Sequence, residues 1–188
     1  LVCKMIQESI QKGMKMVPIS FNLSKASFED EPFMQEYMEV FQQFDIPKEY
    51  IEFELLESIS MDNSDKLIKV VDTIHKAGFR CALDDFGSGY SSLGLLKEFD
   101  IDIIKLDRRF FLDLTNVKAK DIIAATIKLS HKIGATTVAE GIETAEQVQL
   151  LRDVGCDVIQ GYIYSRPLPI SEFEIWWKEN LKTLEPHT

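Results

Sequence analysis

Six short apolar runs of this 188-residue sequence each end in a polar side chain that can bind a metal ion or a water molecule. These ends are Asn22, Glu54, Asp84 with Asp85, Lys105, Glu140 and Gln160. Four carboxylates and an amide at one place would repel each other unless cations neutralised them, and all-oxygen ligands suit Mg²⁺, Mn²⁺ or Ca²⁺ rather than zinc. Two such ions about 3.5 to 4 Å apart are a common arrangement for attack of water on a phosphodiester.

Lys105 is the only cation among these six ends. Carboxylate neighbours would hold it as an ammonium, and it could then orient the attacking water. An internal salt bridge with no chemical role is the alternative for Lys105. Any one of the carboxylates, taken alone, fits a helix cap or a solvated loop better than a site. The prediction therefore depends on the whole set lying together.

The elements that must position these residues alternate along the whole chain, with short β-rich runs separated by segments of helical period. The predicted strands are Val17–Asn22, Tyr50–Glu54, Arg80–Asp84, Asp102–Lys105, Thr136–Glu140 and Asp157–Gln160. This order predicts an α/β fold, a TIM-like (β/α)8 barrel of which six β/α units are present and about the first two strands are not. The polar ends would then share the C-terminal rim of the barrel, where barrel enzymes keep their active sites.

Residues two positions before the polar ends should point into the barrel, because alternate residues of a strand share a face. Glu52 is the one charged residue among them. Gly78, Gly134 and Gly155 are placed to end helices before strands, and Thr144 with Gln147 has capping-box spacing. A last amphipathic helix is predicted from Ser171 to about Leu184. His75 and His131 fall in predicted helices, and we expect them to face solvent.

The charge balance of 21 basic and 31 acidic residues, a formal net charge of −10, argues against a DNA or RNA polymer as partner. Three cysteines without CxxC spacing predict neither a disulfide framework nor a thiolate site and fit a reducing cytoplasm. No apolar stretch approaches the roughly 20 residues that span a bilayer. We therefore expect a cytoplasmic protein, or the cytoplasmic part of a larger membrane-anchored one.

Six spaced motifs resemble those of EAL domains, bacterial phosphodiesterases that open cyclic di-GMP to linear pGpG. They are FNLS at 21–24, ELLES at 54–58, DDFGSGYSS at 84–92, IKLD at 104–107, AEGIET at 139–144 and QGYIYSRPL at 160–168. They occur in family order and cover about residues 17 to 170. The resemblance implies that residues 1–188 form a partial EAL domain whose substrate is cyclic di-GMP and whose cofactors are two divalent cations, Mg²⁺ or Mn²⁺, with Ca²⁺ as an inhibitory ion.

The resemblance also implies a role for each matching residue. The implied metal ligands are Asn22, Glu54, Asp84, Asp85 and Glu140, with Asp84 bridging the two ions. Lys105 and Gln160 would position the water, and Lys105 or Glu140 would be the general base. The residues implied to support the rim loops are Glu57, Glu143, Phe86, Gly87, Ser88 and Gly89. A homodimer is implied through the loop and helix after Asp85, including Leu93, Leu95 and Leu96, although ordinary packing explains these leucines equally well.

Three departures from the family pattern stand out. The upstream Glu-Ala-Leu signature that names the family, with one more metal ligand, is not in the sequence, so we expect these 188 residues alone to be weakly active or inactive. Leu56 stands where the family usually has Thr, and Arg109 stands where a small residue is commoner.

The main alternative to a phosphodiesterase is a catalytically inactive EAL-type receptor or protein-interaction module. Inactive members of the family usually lose metal ligands first, and every ligand position that this sequence covers is filled. Unrelated Mg²⁺-dependent barrel enzymes also place carboxylates at strand ends. The DDFGSGYSS and NLS segments do not belong to that pattern.

Overall fold

The computed structural model describes residues 1–14, 16–24, 33–57, 64–87 and 92–184, and the side chains of all of these except 64, 92, 95 and 181–184. The helices are α1 Val2–Gln11, α2 Phe33–Phe41, α3 Ser64–Lys76, α4 Ser92–Glu98, α5 Val117–Lys132, α6 Ala145–Asp153 and α7 Ile170–Leu184. The strands are β1 Ile19–Leu23, β2 Ile51–Leu56, β3 Arg80–Phe86, β4 Ile103–Leu106, β5 Thr136–Ala139 and β6 Val158–Ile159.

The six strands pair in chain order, all parallel, with helices between them. The predicted α/β fold of the TIM-barrel type is therefore confirmed. Because all six strands are parallel, their carboxyl ends lie at the same edge of the sheet. Asn22 is the register partner of Glu54, and Lys105 is the partner of Val138, so the polar strand ends share that edge.

The outward face of the sheet carries the apolar core. Phe53 on β2 is 1% exposed and packs edge-on against Tyr37 of α2 and against Phe79, with ring centroids 5.1 and 5.3 Å away. Such edge-to-face pairs add about 0.5 to 1.5 kcal/mol to the burial of the rings. These contacts fix α2 and the segment leading into β3 against β2, and thereby set the height of Glu54 at the rim.

The inward face carries a polar layer beneath the rim. Glu52 is 8% exposed, accepts a hydrogen bond of 3.0 Å from Arg80 and one of 3.3 Å from Ser20. The other terminal nitrogen of Arg80 donates to the Thr136 hydroxyl on β5, 3.2 Å away. Glu52, the one charged residue predicted to point inward, is therefore neutralised inside the sheet and holds β1, β2, β3 and β5 together at this level.

Asp102 and Asp157, predicted as the first residues of their strands, lie just before β4 and β6. The Asp102 carboxylate accepts the backbone N–H of Cys81 at 2.7 Å, and that of Asp157 accepts the N–H of Thr137 at 2.8 Å. Each side chain therefore binds the backbone of the neighbouring strand. The same two carboxylates lie 2.8 Å from His75 and His131.

His131 is exposed, as expected, and His75 is half-buried, and each has a carboxylate partner that the sequence analysis did not foresee. His75 lies in the last turn of α3, and its Nε2 contacts the carboxylate of Asp102, just before β4. His131 lies in the last turn of α5, and its Nε2 contacts the carboxylate of Asp157, just before β6. The same arrangement thus occurs twice, at β3–β4 and at β5–β6. Helical period could show that these histidines lie in helices, but the aspartates lie 27 and 26 residues away in sequence.

Several local predictions are confirmed. The three helix-ending glycines all have positive φ, and Thr144 with Gln147 forms the capping box that starts α6. The last helix begins at Ile170, one residue earlier than predicted. The three cysteines are free, and none of the helices in the described ranges is long and apolar enough to cross a membrane.

Candidate metal and phosphodiester site

Lys105 lies at the centre of the rim. It projects from β4, is 6% exposed, and its Nζ lies 2.5 Å from Glu54 Oε1, 2.6 Å from Glu140 Oε1 and 3.3 Å from Asp84 Oδ1. The three carboxylates come from the ends of β2, β3 and β5. One ammonium therefore joins four strand ends that are up to 86 residues apart in sequence, Glu54 to Glu140.

A bulge in β3 places two consecutive aspartates opposite Lys105. Leu83 pairs with Ile104 and Phe86 pairs with Leu106, so Asp84 and Asp85 together oppose the single residue Lys105. In a regular strand adjacent side chains point to opposite faces, whereas a bulge places two residues opposite one and redirects a side chain. Asp85 has φ of 57°, and it is the one non-glycine residue with positive φ in the described ranges.

The bulge produces a compact acidic group. One carboxylate oxygen from each of Asp84, Asp85 and Glu140 lies within 4.8 Å of the others. The backbone strain at Asp85 is of the kind that costs about 1 to 3 kcal/mol and persists where the surroundings impose it. Its effect here is to add a second β3 carboxylate to a site that already holds one.

The chemistry of a divalent cation fits this group. Within the described part of the chain, Asp84 Oδ1 is a buried side-chain oxygen without a hydrogen-bond partner. Lys105 Nζ lies 3.3 Å from this oxygen and forms an ion pair with it, but the shorter contacts of Lys105 are with Glu54 and Glu140. A buried carboxylate oxygen without a hydrogen bond is costly. A cation bound among these three carboxylates would supply a partner for it.

The protonation states are set by burial and by Lys105. Burial would lower the pKa of the Lys105 ammonium, but its hydrogen bonds to Glu140 and Glu54 outweigh burial and raise that pKa above its usual value. Burial raises the pKa of Glu140, although contact with Lys105 acts in the opposite direction. Lys105 is thus a permanent cation here, and Glu140 is a more basic carboxylate than an exposed one.

Asn22 and Gln160 flank this centre. The Asn22 residue is exposed at the end of β1 beside Glu54, its register partner. Gln160 is exposed directly after β6, and its backbone is fixed by an N–H donated to Ala139 and a carbonyl that accepts from Ile142. The structure places both at the rim. The described contacts do not join either side chain to the acidic group.

Glu57 anchors the start of the loop after β3. It is 2% exposed, and its Oε2 accepts the N–H of Gly87 at 3.0 Å. Gly87 has φ of 89°, and a Cβ there would lie 2.1 Å from the ring of Phe110, so glycine is required. Phe86 is buried at the end of β3 and pairs with Leu106.

Fewer contacts are described for the other predicted loop-supporting residues. Glu143 is exposed, and its backbone N–H donates to Gln147 at the start of α6. Ser88 and Gly89 lie outside the described residues. Leu93 of α4, on the predicted dimer surface, is 65% exposed, Leu96 is half-buried, and the side chain of Leu95 is outside the described set.

Asp107 and its contact with Arg109 belong to this rim and were missed by the sequence analysis. The Asp107 carboxylate hydrogen-bonds the carboxyl of Asp85 and accepts both the backbone N–H and the Nε–H of Arg109, at 2.8 and 2.7 Å. Burial, then the hydrogen bond to Asp107 and the charge of Asp84, raise the pKa of Asp85. Asp107 follows Lys105 by two residues, and this spacing alone could have indicated a shared face.

The sequence comparisons agree with this geometry. The sequence model of the family described as "EAL domain" matches residues 1–167. The cyclic di-GMP phosphodiesterase NbdA of Pseudomonas aeruginosa is 35% identical over 154 residues, which are 81% of this chain and 19% of NbdA. The chain spans about a fifth of the length of the first curated relatives that it matches, between 17% and 22%.

Solved structures show the same architecture. The EAL domain of Mycobacterium smegmatis DcpA superposes with a TM-score of 0.85 and 28% identity, over 94% of this chain and 80% of that one. Klebsiella pneumoniae BlrP1, solved with manganese and cyclic di-GMP, gives a TM-score of 0.78 and 28% identity, over 88% of this chain and 43% of that one.

Proposed function

This chain belongs to the EAL domain family, and we propose that it carries the site for metal-dependent hydrolysis of cyclic di-GMP to linear pGpG. The observation that supports this most strongly is the group formed by Asp84, Asp85 and Glu140 beside Lys105, because it combines a cation-binding carboxylate set with a buried oxygen that has no hydrogen bond. Relatives such as NbdA are named as cyclic di-GMP phosphodiesterases.

The proposed metal ligands are the oxygens of five residues, namely Asn22, Glu54, Asp84, Asp85 and Glu140. Mg²⁺ and Mn²⁺ are the proposed ions, since both take oxygen ligands. Such ions would supply Lewis-acid polarisation of the scissile phosphate and acidification of the attacking water. Asp84, whose buried Oδ1 lies 3.3 Å from Lys105 Nζ and has no hydrogen bond, is the proposed bridging ligand.

We assign the general base to Glu140 rather than to Lys105. An ammonium has no lone pair, and the contacts with Glu54 and Glu140 keep Lys105 protonated. Glu140, by contrast, is a partly exposed carboxylate with lone pairs that can accept a proton, which makes it the better acceptor of the two. Lys105 is then left to hold Glu54 and Glu140 together and to donate a hydrogen bond to the attacking water, together with Gln160.

Glu57 and Glu143 are proposed to support the loops at the rim. Glu57, which holds the N–H of Gly87, would set the course of the loop after β3, and Glu143 would support the turn into α6. A homodimer through this loop and α4 is proposed on the exposure of Leu93 and on the family. The cytoplasm is the proposed location, since cyclic di-GMP is a bacterial second messenger.

The test is hydrolysis of cyclic di-GMP by the purified full-length protein, because the 188 residues alone are expected to be weakly active or inactive, followed by chromatographic detection of pGpG. We expect product with Mg²⁺ or Mn²⁺, no product with EDTA, and no product from Asp84→Ala under any condition. Binding of cyclic di-GMP without release of pGpG in either ion would refute hydrolysis and assign the chain to the receptor class. Lack of both binding and turnover would reject the ligand itself.

A further inference from the structure

The described residues of the rim offer more negative than positive charge to an anionic substrate. Cyclic di-GMP contains two phosphodiesters, and a cation pair at the acidic group would face the one that is cut. Lys105 cannot serve the other, because it is 6% exposed and all of its close contacts are with carboxylates. The chain as a whole has a formal charge of −10, so its general field repels a dianion.

Arg109 is a rim cation with unused donors in the described part of the chain. Its Nε and backbone N–H both hold Asp107 Oδ1, at 2.7 and 2.8 Å, while its side chain remains 55% exposed. In the described ranges neither terminal nitrogen has a hydrogen-bond or ion-pair partner. Asp107 in turn contacts Asp85, so one carboxylate separates the guanidinium from the acidic group.

This arrangement orients the guanidinium. An arginine held through Nε has its planar fork fixed in direction, and the two terminal nitrogens are then suited to bidentate contact with phosphate. The 3-10 helix Arg108–Phe111 that carries Arg109 is capped by Asp107 itself, which fixes the backbone as well. A small residue, which is commoner at this position in the family, could make no such contact.

We propose that Arg109 binds the non-scissile phosphodiester of cyclic di-GMP and is a substrate-binding residue particular to this chain. The inference rests on the proposed function and adds to it a contact that lies outside the metal ligands. Because the contact is to the phosphate that does not react, it acts on substrate binding and much less on the chemical step.

The experiment compares Arg109→Ala and Arg109→Lys with the unsubstituted protein, all as full-length proteins. Equilibrium binding of cyclic di-GMP is measured by calorimetry at saturating Ca²⁺, and KM and kcat at saturating Mn²⁺. Saturating metal removes any contribution of Asp107 or Asp85 to cation affinity. Arg152→Ala is the matched control, because Arg152 is an exposed arginine in the last turn of α6 and its loss gives the same change in net charge.

Arg109→Ala should raise Kd and KM about tenfold, the low end for a hydrogen bond to a charged group, with kcat changed less than about twofold. The difference should shrink at high salt, since the contact is partly exposed. Arg109→Lys should recover part of the affinity, and Arg152→Ala should bind normally. Unchanged Kd in Arg109→Ala, or an equal loss in Arg152→Ala, would overturn the inference. Failure of the unsubstituted protein to bind cyclic di-GMP would instead overturn the proposed function.

Discussion

Replacing Lys105 with Met tests whether this ammonium holds the rim together. Met keeps most of the side-chain volume and removes the charge, which leaves Glu54, Asp84 and Glu140 facing one another without compensation. Removing one partner of a buried ion pair usually costs about 3 to 5 kcal/mol. Asp84 and Glu140 have side chains 13% and 19% exposed, so some solvation relieves the cost, and we expect a loss of about 3 kcal/mol in the free energy of unfolding at pH 7.5.

The destabilisation caused by Lys105→Met should depend on pH. Burial already raises the pKa of Glu140 in the folded protein, and loss of Lys105 would raise it further. A carboxyl with a raised folded pKa binds its proton more tightly when folded, so its favourable contribution is present at low pH and is lost as pH rises through the folded pKa. The destabilisation of Lys105→Met should therefore be largest at pH 7.5 and should shrink toward pH 5.

Urea unfolding of the metal-free protein at pH 7.5 and pH 5, followed by circular dichroism, measures both effects. Lys128→Met is the control, because Lys128 is an exposed lysine on α5 whose loss leaves no buried charge. Addition of Mn²⁺ should restore much of the lost stability, since cations replace the missing positive charge. A free energy of unfolding within about 0.5 kcal/mol of the unsubstituted protein at pH 7.5, or a loss that is equal at the two pH values, would refute this reasoning.

Three further outcomes follow. Asp84→Ala should change the metal-free free energy of unfolding by no more than about 1 kcal/mol, because it relieves repulsion, and should abolish Mn²⁺ binding in calorimetry; a large loss of stability would make Asp84 structural. Gly87→Ala should cost about 2 kcal/mol or more in urea unfolding because of its φ of 89° and the ring of Phe110, and a neutral effect would contradict the packing. Although burial acts to raise it, hydrogen bonds lower the pKa of Asp157, so Asp157→Asn should cost about 1 kcal/mol at pH 7 and less near pH 3, unlike Asp153→Asn on α6; equal pH profiles would contradict this.

The sequence was sufficient for the order of strands and for the rim. Alternation of short β-rich runs with helical segments predicted six parallel strands, and the polar residue at each strand end predicted where the acidic group lies. Both follow from local periodicity and from a general rule about parallel sheets. The capping box of Thr144 and Gln147 was predictable for the same reason, because all its parts lie within four residues.

Features that depend on contacts between distant residues could not be predicted in this way. The bulge that turns Asp85 to the same side as Asp84 is a property of the pairing between β3 and β4, not of either strand. The pairing of His75 with Asp102 is another such case. Arg109 was noted as unusual in sequence, but its contact with Asp107 became visible only in the fold.

Strand ends were the least accurate part of the prediction. Asp102 and Asp157 were predicted as the first residues of strands, whereas β4 and β6 begin one residue later and each aspartate uses its carboxylate to accept a backbone N–H of an adjacent strand. Conversely, β2 and β3 each extend two residues beyond the predicted end, to Leu56 and Phe86, because pairing with neighbours continues past Glu54 and Asp84.

The central claim is that the rim carboxylates bind a pair of divalent cations. Crystals of the protein soaked in Mn²⁺ and measured at the manganese absorption edge test it directly. We predict two anomalous peaks about 3.5 to 4 Å apart, with Asp84 touching both and with Asp85 and Glu140 among the other ligands. Absence of anomalous density among these carboxylates at saturating Mn²⁺, or a single ion bound elsewhere on the chain, would contradict the claim.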